Sequence, residues 1–226
     1  MIAVVTGAAR GIGRAVAIEL ARRGADVGLL GRTAVDLAPV KAEIEALGRR
    51  AVAVDADAGK SADVEAGART ILAELGAPDV VIANAGIVHR VRVVDMTDEA
   101  WDETMAVNLK GPFLLARAFL PSMLPRKKGR FVAIGSISAT LGTPRQSAYC
   151  ASKWGTTGFV KSLAEELRGT GLQALCVQPG SVDTDMLKGS GFPPAMNADD
   201  VAKLVAYASF DAPAAMNGSA IEAFGP

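Results

Sequence analysis

Short apolar runs alternate with amphipathic stretches along nearly the whole of this 226-residue chain. That alternation narrows the accessible folds more than any other feature. Segments 2–5, 26–30, 51–54, 80–83, 131–135 and 172–177 are short and apolar, several of them rich in β-branched residues, which suits strands covered on both faces. Between them, residues 12–23, 34–47, 61–75, 98–123 and 148–168 carry apolar side chains at three- and four-residue spacing, the period of a helix that buries one face. Repetition of strand, helix, strand predicts right-handed crossovers, a parallel sheet with helices on both faces, and a ligand crevice at the carboxyl ends of the strands.

Helix punctuation agrees. Thr97 is placed to cap a helix that opens with Asp98 and Glu99, while Gly24, Gly48 and Gly76 follow expected helices where a left-handed cap residue is needed. Segment 98–123 is expected to break near Gly111-Pro112, because proline has no amide hydrogen to donate. Segment 217–226 reads as a last strand with a short tail. No linker or low-complexity run divides the chain, so residues 1–226 are expected to form one domain.

Composition excludes several function classes. With 24 basic and 24 acidic side chains the formal charge is zero, and Arg126-Lys127-Lys128 is the longest basic run, so no nucleic-acid or anionic-membrane footprint is expected. No apolar run reaches the length of a membrane span, and the strand pattern starting at Ile2 leaves no room for a signal peptide, so a cytoplasmic protein is expected. Cys150 and Cys176 lack metal-ligand spacing and His89 is the sole histidine, so no metal site is expected.

Two motifs carry chemistry. The first is Thr6-Gly7-Ala8-Ala9-Arg10-Gly11-Ile12-Gly13, at the junction of the first strand and first helix. Glycines there permit a tight turn and close backbone approach to a pyrophosphate, which oriented amides at the helix start would hold. The second is Tyr149-x-x-x-Lys153, with Ser136 thirteen residues upstream of Tyr149. On a helix, positions i and i+4 share a face, so the ammonium stands beside the phenol. A cation about 6.5 Å away at an effective dielectric near 20 favours tyrosinate by roughly 2.5 kcal/mol, lowering the phenol pKa by about two units. The expectation is therefore a tyrosine poised for acid–base work near neutral pH. Ser138 is a second nearby hydroxyl, but its spacing to Tyr149 favours Ser136 for the role.

Taken in order, Thr6-Gly7-x-x-x-Gly11-x-Gly13, Asn84-Ala85-Gly86, Asn108, Ser136, Tyr149-x-x-x-Lys153 and Pro179-Gly180 followed by Thr184 resemble the short-chain dehydrogenases/reductases over essentially the whole chain. The resemblance implies a Rossmann-type, doubly wound, seven-stranded and mostly parallel sheet with helices on both faces. It implies a nicotinamide cofactor held by Thr6, Gly7, Arg10, Gly11, Ile12, Gly13, Asn84, Ala85, Gly86, Tyr149, Lys153, Pro179, Gly180, Val182 and Thr184, with Asp57 (or neighbouring Asp55) at the adenine. It also implies that Ser136, Tyr149, Lys153 and Asn108 form the catalytic set, Asn108 anchoring a water relay through Lys153.

Charge at the end of the second expected strand bears on the cofactor. Leu30-Gly31-Arg32-Thr33 offers no carboxylate to a ribose 2′-hydroxyl, whereas Arg32 and Arg10 would suit a 2′-phosphate, so NADP(H) is expected over NAD(H). The substrate is expected to be a small-molecule carbonyl or secondary alcohol, in a reductase resembling the 3-oxoacyl-carrier-protein reductases. An alcohol, polyol or steroid dehydrogenase is a second reading. A non-catalytic cofactor-binding scaffold is a third, against which the retention of Ser136, Tyr149, Lys153 and Asn108 argues. Residues 185–197 are shorter than the helical lid common in the family, and Gly189, Gly191, Pro193 and Pro194 suit a loop. There Met186, Leu187, Phe192 and Met196 either meet the substrate or pack on the body. By analogy with the family, a homo-oligomer, dimer or tetramer, is expected.

Overall fold

The computed structural model of the protein describes residues 1–225. Seven strands form one sheet: β1 (Ile2–Thr6), β2 (Asp26–Gly31), β3 (Ala51–Asp55), β4 (Val80–Ala83), β5 (Gly129–Ile134), β6 (Leu172–Pro179) and β7 (Ala220–Ala223). Their order is β3-β2-β1-β4-β5-β6-β7, and every pairing is parallel. The last strand expected from segment 217–226 is β7; Pro226 lies outside the described residues.

Alternation of side chains through the sheet separates two cores. Ala3 and Val5 of β1 face α1 (Gly11–Arg22), α2 (Ala34–Ala46) and α7 (Ala198–Ala206), where Val16, Leu20, Leu37, Ile44, Val201 and Val205 are buried. Val4 points the other way, toward α3 (Ser61–Glu74), α5 (Gly111–Met123) and α6 (Ser147–Glu166), among Ile71, Leu115, Phe119, Phe131 and Val160. Within this layer Phe131 and Phe159 meet edge to face at 6.3 Å and 82°.

The chain winds outward from β1 to β3, crosses back, and winds outward again from β4. The carboxyl ends of β1 and β4 therefore diverge, and a crevice opens between their loops.

Segment 98–123 breaks earlier than expected. Helix α4 (Asp98–Met105), capped by the Thr97 hydroxyl, gives way to a π-helical turn over Ala106–Lys110 before α5 begins. Pro112 explains the position. Having no N–H, it cannot satisfy the carbonyl of Asn108 four residues earlier, and that oxygen accepts instead from Thr156 Oγ1 of α6 at 2.9 Å. Strand ends also differ: β1, β2 and β3 each run one residue further than expected, β5 spans Gly129–Ile134 rather than 131–135, and β6 continues to Pro179.

Candidate active site

The glycine turn is shaped from both sides of the crevice. Gly7 and Gly11 adopt φ of 64° and 54°, in the left-handed region that favours glycine. A Cβ on Gly7 would meet Ala85 Cα at 3.0 Å, one on Gly11 would meet Thr184 Cγ2 at 3.3 Å, and one on Gly13 would collide with the Gly7 carbonyl and Asn84 Nδ2. Thr6 Oγ1 accepts from the amides of Asn84 and Ala85 at 3.0 and 3.1 Å, and Asn84 Nδ2 donates to Thr6 O at 2.9 Å. Asn84 and Ala85 thus brace the loop after β1 from the loop after β4. This close-packed cradle of bare backbone at a helix start fits a pyrophosphate, with Ile12 just inside α1.

The other expected cofactor residues surround the same crevice. Gly180 N donates to Ala223 O at 2.8 Å, so the chain after Pro179 is held against the last strand. Val182 is buried and bridges to Met196, while Thr184 lies against Gly11. Arg32 follows β2 with no ion-pair partner among the described residues, whereas Arg10 Nη1 pairs with Asp185 Oδ2 at 3.1 Å. Both members of that pair are exposed, so the contact is weak and readily exchanged. Asp57 organises its own loop: Oδ1 accepts from Gly59 N at 2.9 Å and Oδ2 lies 3.7 Å from Lys60 Nζ.

Ser136, Tyr149 and Lys153 converge where β5 delivers its chain to α6. Ser136 is buried just after β5, its Oγ accepting from Ser138 N at 3.1 Å, and its hydroxyl is near enough to Tyr149 to act on the phenol. Ser138 is also buried. One helical turn separates Tyr149 from Lys153, whose Nζ lies 5.7 Å from the tyrosine ring centroid and donates to Ile134 O at 2.8 Å. A Cβ on Gly86 would stand 3.7 Å from that same Nζ, so the glycine borders the ammonium.

The expected downward shift of the Tyr149 pKa is not what the structure gives. Burial pushes the phenol upward, opposed by the Ser136 hydroxyl and, more weakly, by the positive charge of Arg90. Lys153 is only 4% exposed, and burial lowers its own pKa to about 8. Helical spacing alone leaves the ammonium in solvent beside the phenol, whereas here it lies over the ring face, is aimed at a backbone carbonyl and has lost its water.

Asn108 is buried in the π-helical turn with its side chain fully engaged. Oδ1 accepts from Ile87 N at 2.8 Å, and Nδ2 donates to Ile87 O at 2.9 Å and Ser152 Oγ at 3.0 Å. Ser152 Oγ in turn donates to Tyr149 O at 2.7 Å. Asn108 thus ties the loop after β4 to the helix that carries Tyr149 and Lys153. Ser152 and Thr156 complete this network. Sequence reasoning passed over both, though each lies on the Tyr149 helix at a spacing that faces inward.

The short segment after Thr184 forms a 3₁₀ turn over Asp185–Leu187. Met196 packs into the core, while Met186 and Phe192 stay exposed. Arg90, also passed over, reaches across from the loop after β4 and donates through Nη2 to Met186 O at 2.6 Å.

A doubly wound parallel sheet with a glycine turn at its switch point and a Ser–Tyr–Lys cluster beside it defines a nicotinamide-dependent dehydrogenase. Residues 1–191 match the short chain dehydrogenase family. The chain is 36% identical over 187 residues to the 3-oxoacyl-[acyl-carrier-protein] reductase FabG of Escherichia coli, covering 83% of this chain and 75% of that one. Among solved structures, a short-chain type dehydrogenase/reductase from Mycobacterium marinum superposes with a TM-score of 0.94 at 27% identity, covering 99% and 94% of the two chains. A 3-ketoacyl-ACP reductase from Sinorhizobium meliloti does so at 0.92 and 32%, covering 100% and 98%. The protein belongs to the short-chain dehydrogenase/reductase family. It is an NAD(P)-dependent oxidoreductase acting on CH–OH donors and the corresponding carbonyls.

Proposed function

We propose that the protein reduces a ketone or 3-oxoacyl carbonyl with NADPH, using Ser136, Tyr149, Lys153 and Asn108. The observation that carries this reading is the convergence of Ser136, Tyr149 and Lys153 beside Gly86, at the mouth of the β1/β4 crevice. The bound cofactor supplies the hydride. Ser136 donates a hydrogen bond to the substrate oxygen as negative charge develops on it, and Tyr149 delivers the proton. A phenol pushed upward in pKa is protonated at neutral pH, the form a proton donor requires. Lys153, fixed by Ile134 O, holds the tyrosine's surroundings cationic and offers its remaining hydrogens to ribose hydroxyls. Asn108 keeps the loop at Ile87 and the Tyr149 helix in register, and its place in the π-helical turn is where a water relay to Lys153 would be anchored.

Preference for the phosphorylated cofactor is supported by Arg32, which follows β2 with no ion-pair partner among the described residues, in a Leu30–Thr33 stretch that itself carries no carboxylate. The similarity to 3-oxoacyl reductases supports a 3-oxoacyl thioester as one substrate. Initial rates on a panel of ketones and acyl thioesters, with NADPH and NADH compared for each, test the reading. Higher kcat/KM with NADH would overturn the cofactor preference, and no turnover of any carbonyl would overturn the function.

Assembly as a homo-oligomer is supported by an apolar groove of about 550 Å³ along α4, α5 and α6, lined by Met105, Leu109, Phe113 and Phe159. Trp101, Phe113 and Trp154 are exposed on these same helices. Sedimentation of the purified protein decides the state, a monomer at micromolar concentration being the contrary result.

A further inference from the structure

Most charged groups around the crevice are matched by an opposite charge. Arg10 and Lys188 share Asp185, His89 faces Glu103 at 2.9 Å, Lys60 faces Asp57, and Arg92 faces Asp95. Besides Arg32, two guanidinium groups are not. Arg90 and Arg145 have no carboxylate within ion-pair distance among the described residues, and their loops meet, Arg145 Nη2 donating to the backbone carbonyl of Arg90 at 3.3 Å. The nearby carboxylates, Asp185 and Glu103, are committed elsewhere.

Their placement is specific. Arg145 stands four residues before Tyr149 and holds φ at 63°, a left-handed conformation uncommon for a residue with a Cβ. Arg90 spans from the loop after β4 to the segment after Thr184, where Nη2 meets the Met186 carbonyl, while its Nε is buried with no hydrogen-bond partner. An enclosed donor without an acceptor costs about 1–3 kcal/mol. An anionic ligand would supply the counter-charge that Arg90 and Arg145 lack among the described residues.

We infer that Arg90 and Arg145 form the anion-recognising wall of the carbonyl site, so that the preferred substrate is an oxo acid carrying a carboxylate a few bonds from the reacting carbonyl. This rests on the carbonyl-reductase reading above and narrows its substrate class. A guanidinium presents paired donors that match a carboxylate, and its charge is insensitive to pH in the working range. Arg90 also lies close enough to Tyr149 for its charge to act on the phenol.

The test is a comparison of acetoacetate and levulinate with their methyl esters, using NADPH and the intact protein. The expected result is a kcat/KM ratio of acid to ester above one by about tenfold to a hundredfold, carried mainly by KM, and shrinking as salt is added. Arg90→Gln and Arg145→Gln should each collapse that ratio toward one. Arg90→Lys should keep part of it, since charge survives and the fork does not. Cofactor binding, followed by fluorescence, reports whether each variant is folded. If one variant fails to fold, the other and the salt dependence of the wild-type ratio still decide. Esters turned over as well as acids, or variants that lower both equally, would overturn the inference while leaving the reductase reading in place. Failure of every ketone, charged or neutral, would instead remove the reductase reading and this one with it.

Discussion

Replacing Lys153 by Met isolates the energetic consequence of burying an ammonium at the centre of the site. The lysine pKa falls from 10.5 to about 8 in the folded protein, caused mainly by burial. At about 1.4 kcal/mol per unit, holding the protonated form costs the fold about 3 kcal/mol. The sign follows from proton uptake. A cation whose folded pKa is depressed leaves this cost fully present below about pH 8 and relieves it as pH climbs toward the unfolded value near 10.4, because over that window the unfolded chain binds more protons. Methionine is close in length, apolar and does not titrate, so the variant lacks this slope. Against it stands a constant loss: Ile134 O is left without its 2.8 Å donor, worth about 1–3 kcal/mol. At neutral pH the variant should therefore be between equal to wild type and about 2 kcal/mol more stable, although inactive. Denaturant unfolding of both proteins across this pH range, at one protomer concentration, reads the difference. Wild type should gain about 3 kcal/mol on the variant between about pH 8 and about pH 10.5. A difference independent of pH, or one moving the other way, would refute the reasoning about the buried ammonium.

Other outcomes follow from the same contacts. Thr156→Val leaves the Asn108 carbonyl without a donor in the π-helical turn and should cost about 1–3 kcal/mol by chemical denaturation, with a slower turnover. Gly13→Ala drives a methyl into the Gly7 carbonyl and should abolish dinucleotide binding in a calorimetric titration. Arg32→Gln should lower kcat/KM with NADPH by about tenfold to a hundredfold, and with NADH far less.

The fold was legible wherever local pattern decides it. Val4 and Leu30 lie on one side of the sheet and Val5 and Leu29 on the other, and such alternation within short runs announces buried parallel strands. The glycine turn was legible for a similar reason, since Gly7 and Gly11 do need positive φ and Gly13 tolerates no Cβ. What escaped depends on partners remote in sequence. Proline pointed to a break in segment 98–123, but its shape required a hydroxyl from Thr156, 48 residues after Asn108. The Tyr149 pKa was misjudged because helical spacing gives a distance and says nothing of lost water. Arg90 was invisible as a site residue, because its relation to Met186, Arg145 and Tyr149 exists only once three loops are assembled.

The central claim, that Tyr149 supplies the proton in hydride transfer, is tested most directly by Tyr149→Phe. Single-turnover consumption of NADPH with a reducible ketone should slow by about a hundredfold or more, while cofactor affinity changes little. A variant that keeps more than a few per cent of wild-type turnover would contradict the account.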